Sequence, residues 1–231
     1  FSRVLSGTGG IEQNGTGTLT LTENNTYTGN TTISSGSLMV GNGTSGSIFT
    51  SANIINNANL SFNRTSAIEY TGNLSGNASA NLQQVGNSAL TFSGNGAAYL
   101  GNISLNNGTL VLNATNAIGP TGGGVISFNG GILKYTSNFN GDNSARFSNA
   151  AGQQFKLDTN NQSVTLANVL GGLGSNLTKS GLGNLTLTAN NTYTGATTIS
   201  TGTLIVGDSG TNGSRSEEHT SELQSPMFIS Y

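Results

Sequence analysis

The sequence predicts an all-β chain wound as a parallel β-helix, a β-solenoid of about nine coils. Three observations predict it. First, Gly15 to Gly41 recurs without a gap as Gly181 to Gly207: GTGTLTLTENNTYTGNTTISSGSLMVG against GLGNLTLTANNTYTGATTISTGTLIVG, identical at 20 of 27 positions. Repetition this strong means that one structural unit is used more than once, and it outranks other sequence signals in deciding a fold. Second, a small or polar residue followed by two apolar residues at period two recurs along the whole chain. Third, the segments between these units hold turn formers and no helical pattern.

The units follow in order. Gly17-x-Leu19-x-Leu21 and Gly36-x-Leu38-x-Val40 lie in the first long copy. Ala58-x-Leu60-x-Phe62, Ser88-x-Leu90-x-Phe92, Gly108-x-Leu110-x-Leu112, Gly131-x-Leu133-x-Tyr135 and Gln162-x-Val164-x-Leu166 follow. Gly183-x-Leu185-x-Leu187 and Gly202-x-Leu204-x-Val206 close the set. Alternation of this kind marks a strand with one buried face. The first positions are 19, 22, 30, 20, 23, 31, 21 and 19 residues apart. One strand per interval of this size suits coils whose equivalent strands stack in parallel, each burying what its neighbour cannot bury alone. An apolar residue three positions before the unit (Ile33, Ile55, Val85, Leu105, Phe128 and Ile199) extends the pattern.

Asn24-Asn25, Asn56-Asn57, Asn106-Asn107, Asn160-Asn161 and Asn190-Asn191 fall at the expected corners. Asn and Gly tolerate the left-handed backbone that a sharp corner needs. Stacked Asn side chains are expected to bond to one another and to the backbone of adjacent coils. The two longer intervals predict loops bulging from the shaft, Arg64 to Ala80 and Thr136 to Gln153, where a ligand site is expected. The strand edges at both ends need a cap or a continuation. With Phe1 opening inside repeat-like sequence, this suggests an excerpt of something longer.

Composition narrows the function. Charged residues are 7% of the chain, against roughly 25% in an average domain, while Gly reaches 35 and Asn 33. Low hydrophobicity fits disorder, but near-zero net charge and regularly placed apolar residues decide for a folded chain. The absence of Cys excludes disulfides and thiolate metal sites. No uninterrupted apolar run is long enough for a membrane-spanning helix. Residues 1–213 hold six basic and six acidic groups. A neutral body of this kind has no electrostatic footprint for nucleic acid or an anionic membrane.

The units TLTENNTYTGNTTISSGSLMVG and LTLTANNTYTGATTISTGTLIVG resemble the autotransporter-associated β-strand repeat, also called the passenger-associated transport repeat. GTLVLNATNAIG (residues 108–119) and SARFSNAAGQQFKL (residues 144–157) resemble the sequence between such repeats in long bacterial proteins. The resemblance covers residues 1–213 and is specific in the two long copies. It implies a right-handed parallel β-helix passenger, exported through a C-terminal outer-membrane β-barrel that the parent chain would supply. The implied location is extracellular, or the cell surface of a Gram-negative bacterium anchored at its outer membrane.

From residue 214 the composition changes abruptly. Arg215 to Ser225 reads RSEEHTSELQS, which resembles the translation of a common sequencing-library adapter. The expected organisation is therefore a passenger fragment over 1–213 and a non-native or disordered tail over 214–231.

Few residues offer chemistry. His219, the only histidine, lies in that tail, so Ser-His-Asp, Cys-His and zinc constellations are excluded from the body. The body's acids are Glu12, Glu23, Glu69, Asp142, Asp158 and Asp208. With coils of about 23 residues, Asp142 and Asp158 could sit on neighbouring coils, and two carboxylates at suitable separation can hydrolyse a glycosidic bond. Solvated loop charges are the plainer reading. Calcium nonapeptides of the Gly-Gly-x-Gly-x-Asp type do not occur. An ice-binding face would need a Thr ladder, but the residues between the inward pairs run Thr20, Met39, Ser61, Thr91, Val111, Lys134, Thr165, Thr186 and Ile205. Outward tyrosines such as Tyr27 and Tyr193 could touch sugars, although their place in the repeat favours a packing or corner role. Asn-x-Ser/Thr is abundant because all three residues are common.

The expected function is a non-catalytic structural stalk of a secreted or surface-displayed passenger, with adhesion to surface glycans or host matrix on residues the sequence does not reveal. No catalytic, metal or cofactor residue is expected, and no nucleic-acid partner. The competing class is a polysaccharide-active or carbohydrate-binding β-helix.

Overall fold

The computed structural model describes residues 2–48, 52–207 and the backbone of 214–215. Its strands wind into a β-solenoid of about nine turns. Every ladder is parallel. Among the described residues the one antiparallel contact is an isolated bridge, Thr136 to Phe139, and the one helical turn is Ser144–Arg146. At the usual strand spacing of about 4.8 Å, nine stacked coils span roughly 40 Å.

Three sheets share each middle coil. Sheet 1 holds Ile11–Gln13, Thr31–Ile33, Ile54–Asn56, Leu74–Gly76 and Ala98–Tyr99. Sheet 2 holds Thr18–Leu21, Ser37–Val40, Asn59–Phe62, Asn81–Gln84, Asn102–Leu105 and Ile126–Phe128. Sheet 3 holds Ile68–Tyr70, Ala89–Phe92, Thr109–Leu112, Ile132–Lys134, Gln154–Asp158, Asn176–Ser180 and Thr197–Ile199. A coil such as Leu74–Gly76, Asn81–Gln84, Ala89–Phe92 visits the three in turn. Sheet 4 is shorter: Val164–Leu166, Asn184–Leu187 and Thr203–Val206. Inter-coil bonds from Gly96 to Asn116, Asn138 to Asn113, Ala167 to Asp142 and Thr188 to Leu166 connect it with the side on which sheet 1 runs. The late coils therefore run sheet 3, sheet 4, then back past the line of sheet 2, where Phe147 bridges Ile126 and Thr192 bonds to Leu170.

This arrangement corrects the expectation of a single column. The nine period-two units fall into three triplets: the first three in sheet 2, the next three in sheet 3, the last three in sheet 4. The two long intervals mark the passage from one sheet to the next, one coil plus one face. Arg64 to Ala80 is accordingly no bulging loop, because Ile68–Tyr70 and Leu74–Gly76 within it are ladder strands. Thr136 to Gln153 does contain a tight turn at Thr136–Phe139, but Phe147 within it pairs with Ile126 and is buried.

The inward pairs are where alternation puts them. All are buried except Leu19 and Val206, which are partly covered at opposite ends of the stack. In sheet 3 one inward column runs Ile68, Leu90, Leu110, Leu133, Leu157, Lys179, Ile199 in strict register. Aromatic rings join sheets 2 and 3 edge to face: Phe62 to Phe92 at 6.3 Å and Phe128 to Phe155 at 5.4 Å. Of the residues three before each unit, Ile33, Leu105 and Phe128 are buried, whereas Ile55, Val85 and Ile199 are only half-buried. In two of those coils the buried neighbour is polar, Asn56 and Gln84.

The backbone of Ser214–Arg215 pairs in parallel with Asn190–Asn191. Residues 216–231, including His219 and most of the adapter-like segment, lie outside the described residues.

Candidate functional site: the repeat corners

The two long copies build the same corner. In the first, Asn25 is buried and crosses coils: its Oδ1 accepts from the Leu5 amide at 2.8 Å and its Nδ2 donates to the Ser47 carbonyl at 2.7 Å. In the second, Asn191 accepts from the Leu170 amide at 2.8 Å and donates to Ala189. Two residues on, Tyr27 and Tyr193 turn inward, each 2% exposed. Their hydroxyls share hydrogen bonds with Thr31 Oγ1 at 2.6 Å and Thr197 Oγ1 at 2.7 Å. Burial raises the Tyr27 phenol above its ordinary range, with the Thr31 bond working the other way. The corner role holds for both tyrosines; neither faces out toward a sugar.

A second corner device recurs three times. Gln13 Nε2 donates to the Gly15 and Gly17 carbonyls at 2.8 and 2.9 Å. Gln84 Nε2 does the same to Gly86 and Ser88, also at 2.8 and 2.9 Å. Lys179 Nζ reaches Gly181 at 2.6 Å, and Ser180 and Thr201 at 3.0 Å. The sequence spelling is Gln/Lys-x-Gly-x-Gly/Ser in all three places. A glycine of the next coil, Gly36, Gly108 or Gly202, sits directly on the carbonyl pair with φ of +64°, +59° or +75°. An added methyl would meet those carbonyls, so both the left-handed backbone and the close approach require glycine.

Asparagine supplies the outer ladders. Asn129 bonds to Asn106 at 2.8 Å, and Asn106 to Gln83 at 3.5 Å. Asn138 bonds to Asn113, Asn113 to Ser93, and Ser93 to Glu69, spanning four coils. Asn160 and Asn161 take the left-handed backbone at φ of +46° and +65°.

The charged groups are woven into this framework. Asp142 Oδ1 accepts from the Ser144 amide and hydroxyl, and its Oδ2 from the Ala167 amide at 2.9 Å on the next coil. Asp158 Oδ1 accepts from the Asn160 amide at 2.9 Å, and its Oδ2 pairs with Lys134 at 3.2 Å. All four carboxylate oxygens are engaged, with Asp158 ending a strand of sheet 3 and Asp142 tied to the chain leaving sheet 4. Arg146 is 3% exposed and has backbone carbonyls for partners: Gly124 at 2.7 Å, Ile118 at 2.8 Å and Gly101 at 3.4 Å. Burial pushes its guanidinium down to about 10. Lys179 is lowered to about 8 by burial, with Asp158 acting in the opposite direction.

No group of three or more His, Cys, Asp or Glu side chains converges among the described residues. A cavity of about 10 Å³ opens between Leu112, Ala114, Ile118, Phe139 and Asn143. That is room for about one water; a sugar ring does not fit.

Sequence reasoning misses the corner donors Gln13, Gln84 and Lys179, because each is a polar residue at an inward strand position, and it misses Arg146, whose carbonyl partners lie on other coils. The threefold Gln/Lys-x-Gly-x-Gly/Ser spelling is the signal for Gln13, Gln84 and Lys179; Arg146 lies outside it.

The model of the passenger-associated transport repeat matches residues 11–40 and 177–206. A protein of Brucella suis biovar 1 (strain 1330), the adhesin BmaC autotransporter, is 41% identical over 66 residues, which are 29% of this chain and 2% of that protein. No solved structure gives a significant match. With the same corner geometry at both matched segments, the chain is a β-solenoid that carries a passenger-associated transport repeat at each of them.

Proposed function

We propose that this chain is a rod segment of a surface-displayed autotransporter passenger, which holds adhesive surface away from the cell and has no catalytic centre. The observation that carries the reading is the unbroken parallel pairing from Ile11 to Val206, with the same repeat at both ends. Each coil offers the next a hydrogen-bonding edge and an open apolar column, so the stack templates its own growth. The adhesin name of the Brucella relative supports the adhesive part of this reading. The passenger relationship implies a C-terminal translocator barrel in the parent, and hence location at the outer surface. On the same reading the passenger body is 1–213, and 214–231 carries no native function.

Fusing the chain between an epitope tag and an outer-membrane translocator barrel tests the display role. The tag should become accessible on intact cells, and the cells should gain binding to immobilised glycan or matrix protein. A tag retained inside the cell would overturn the display role. Polysaccharide cleavage lost on Asp142→Asn or Asp158→Asn would replace the inert reading with the enzymatic one.

A further inference from the structure

We propose that Asn107 is a site of self-modification, at which the folded corner promotes deamidation through a cyclic imide. Six Asn-Gly pairs lie within the described residues, starting at Asn14, Asn42, Asn95, Asn107, Asn129 and Asn140. At two of them the fold commits every relevant group elsewhere. The Gly43 and Gly96 amides donate to the Asn63 and Asn116 carbonyls at 2.9 and 2.8 Å. The Asn42 side-chain oxygen accepts from Thr44 and Ser45, and that of Asn95 from the Ala97 amide at 2.9 Å. Asn107 is arranged differently. Its Oδ1 accepts a hydrogen bond from the Gly108 amide at 2.8 Å, which holds the side-chain carboxamide beside the nitrogen that must attack its Cγ once that proton is lost.

The side chain is thus already folded over the main-chain bond that becomes part of the five-membered ring. Holding the carboxamide beside the attacking nitrogen removes part of the entropic cost of ring closure. Asn107 is also exposed, so hydroxide and water reach it. Gly108 has no side chain to shield the attack, and its φ of +59° is fixed by its seat on the Gly86 and Ser88 carbonyls. The outer ladder uses Asn106, which leaves the Asn107 amide outside that network.

The step balances without an oxidant. Hydroxide removes the Gly108 amide proton, the nitrogen bonds to Cγ, and the Cγ–Nδ2 bond breaks with ammonia leaving, protonated by water. Water then opens one of the two imide C–N bonds, giving aspartate or isoaspartate. The first product adds a negative charge at the corner. The second also lengthens the main chain by one methylene beneath Thr109–Leu112, whose Leu110 and Leu112 are core residues.

The test incubates the full chain at mildly alkaline pH, folded and in denaturant, and follows conversion at each Asn-Gly pair by peptide mapping that separates aspartate from isoaspartate. In the folded chain Asn107 should convert roughly tenfold faster than Asn42 and Asn95. In denaturant the three rates should converge, because the local sequence is then the only difference. Equal rates in the folded chain would overturn the proposal. So would the same ranking in folded and unfolded chain, which would assign the effect to neighbouring residues and not to the fold.

Discussion

Lys179 occupies in the second repeat the place that Gln13 holds in the first. Both lie at the end of a strand or one residue before it, point inward and donate to the carbonyl of the glycine two positions on. The difference is charge: Lys179 stands in register between Leu157 and Ile199, where an ammonium survives only because three carbonyls replace its water. A glutamine makes two such bonds without the charge.

That contrast predicts a pH dependence. The folded Lys179 titrates near 8, below its ordinary 10.5, so between these values the unfolded chain binds more protons and stability rises with pH. The buried tyrosines, whose folded values are raised, act the other way once the pH passes their ordinary range. The melting temperature should therefore climb from pH about 8 to about 9.5 and level off above that. Lys179→Gln should flatten the climb, as measured by circular dichroism at each pH.

Tyr27→Phe and Tyr193→Phe should each cost about 1 kcal/mol, the worth of one hydrogen bond with its partner left buried. The two losses should agree closely, since the hydroxyl-to-threonine distances are 2.6 and 2.7 Å. Denaturant unfolding of the single variants, set against Thr31→Val and Thr197→Val, checks this.

Gly36→Ala should destabilise the chain by about 1–3 kcal/mol, because it combines a left-handed backbone with a clash on two carbonyls. Gly122→Ala is the control. Nothing lies within 4 Å of a methyl group there, and the melting temperature should hold.

Leu110→Asp should cost about 3–5 kcal/mol, since it places an unpaired carboxylate at a column position that is 1% exposed. Asp158→Asn should cost less than about 1 kcal/mol, because its ion pair with Lys134 is partly solvated, the two side chains being 21% and 33% exposed. A cooperative unfolding curve unchanged by Leu110→Asp would mean that the column is not the core.

The inward pairs were legible because alternation is a two-valued signal: a residue either faces the hollow or faces water. Leu38, Leu110 and Leu185 could be placed from spacing alone. Which sheet each pair joins was not legible, since the three faces of a coil carry the same alternation. Only the lengths 30 and 31 among intervals near 21 hinted at a change of face. The tyrosines were misread as outward because position two after Asn25 or Asn191 lies at a corner, where strand parity no longer holds. Asp142 and Asp158 were visible as charges, but their duties, bonding to Ala167 on the next coil and pairing with Lys134 on the preceding one, depend on coil-to-coil alignment.

Because the first repeat runs through sheets 1 and 2 and the second through sheets 3 and 4, the two copies point in different compass directions around the rod. A patch grafted on equivalent residues of both would face two neighbours at once, not one. Length variation in such a chain is then tolerated in quanta. Adding the residues of a single face rotates everything downstream by about a third of the circumference and leaves the stack intact, whereas other insertions must be extruded at a corner.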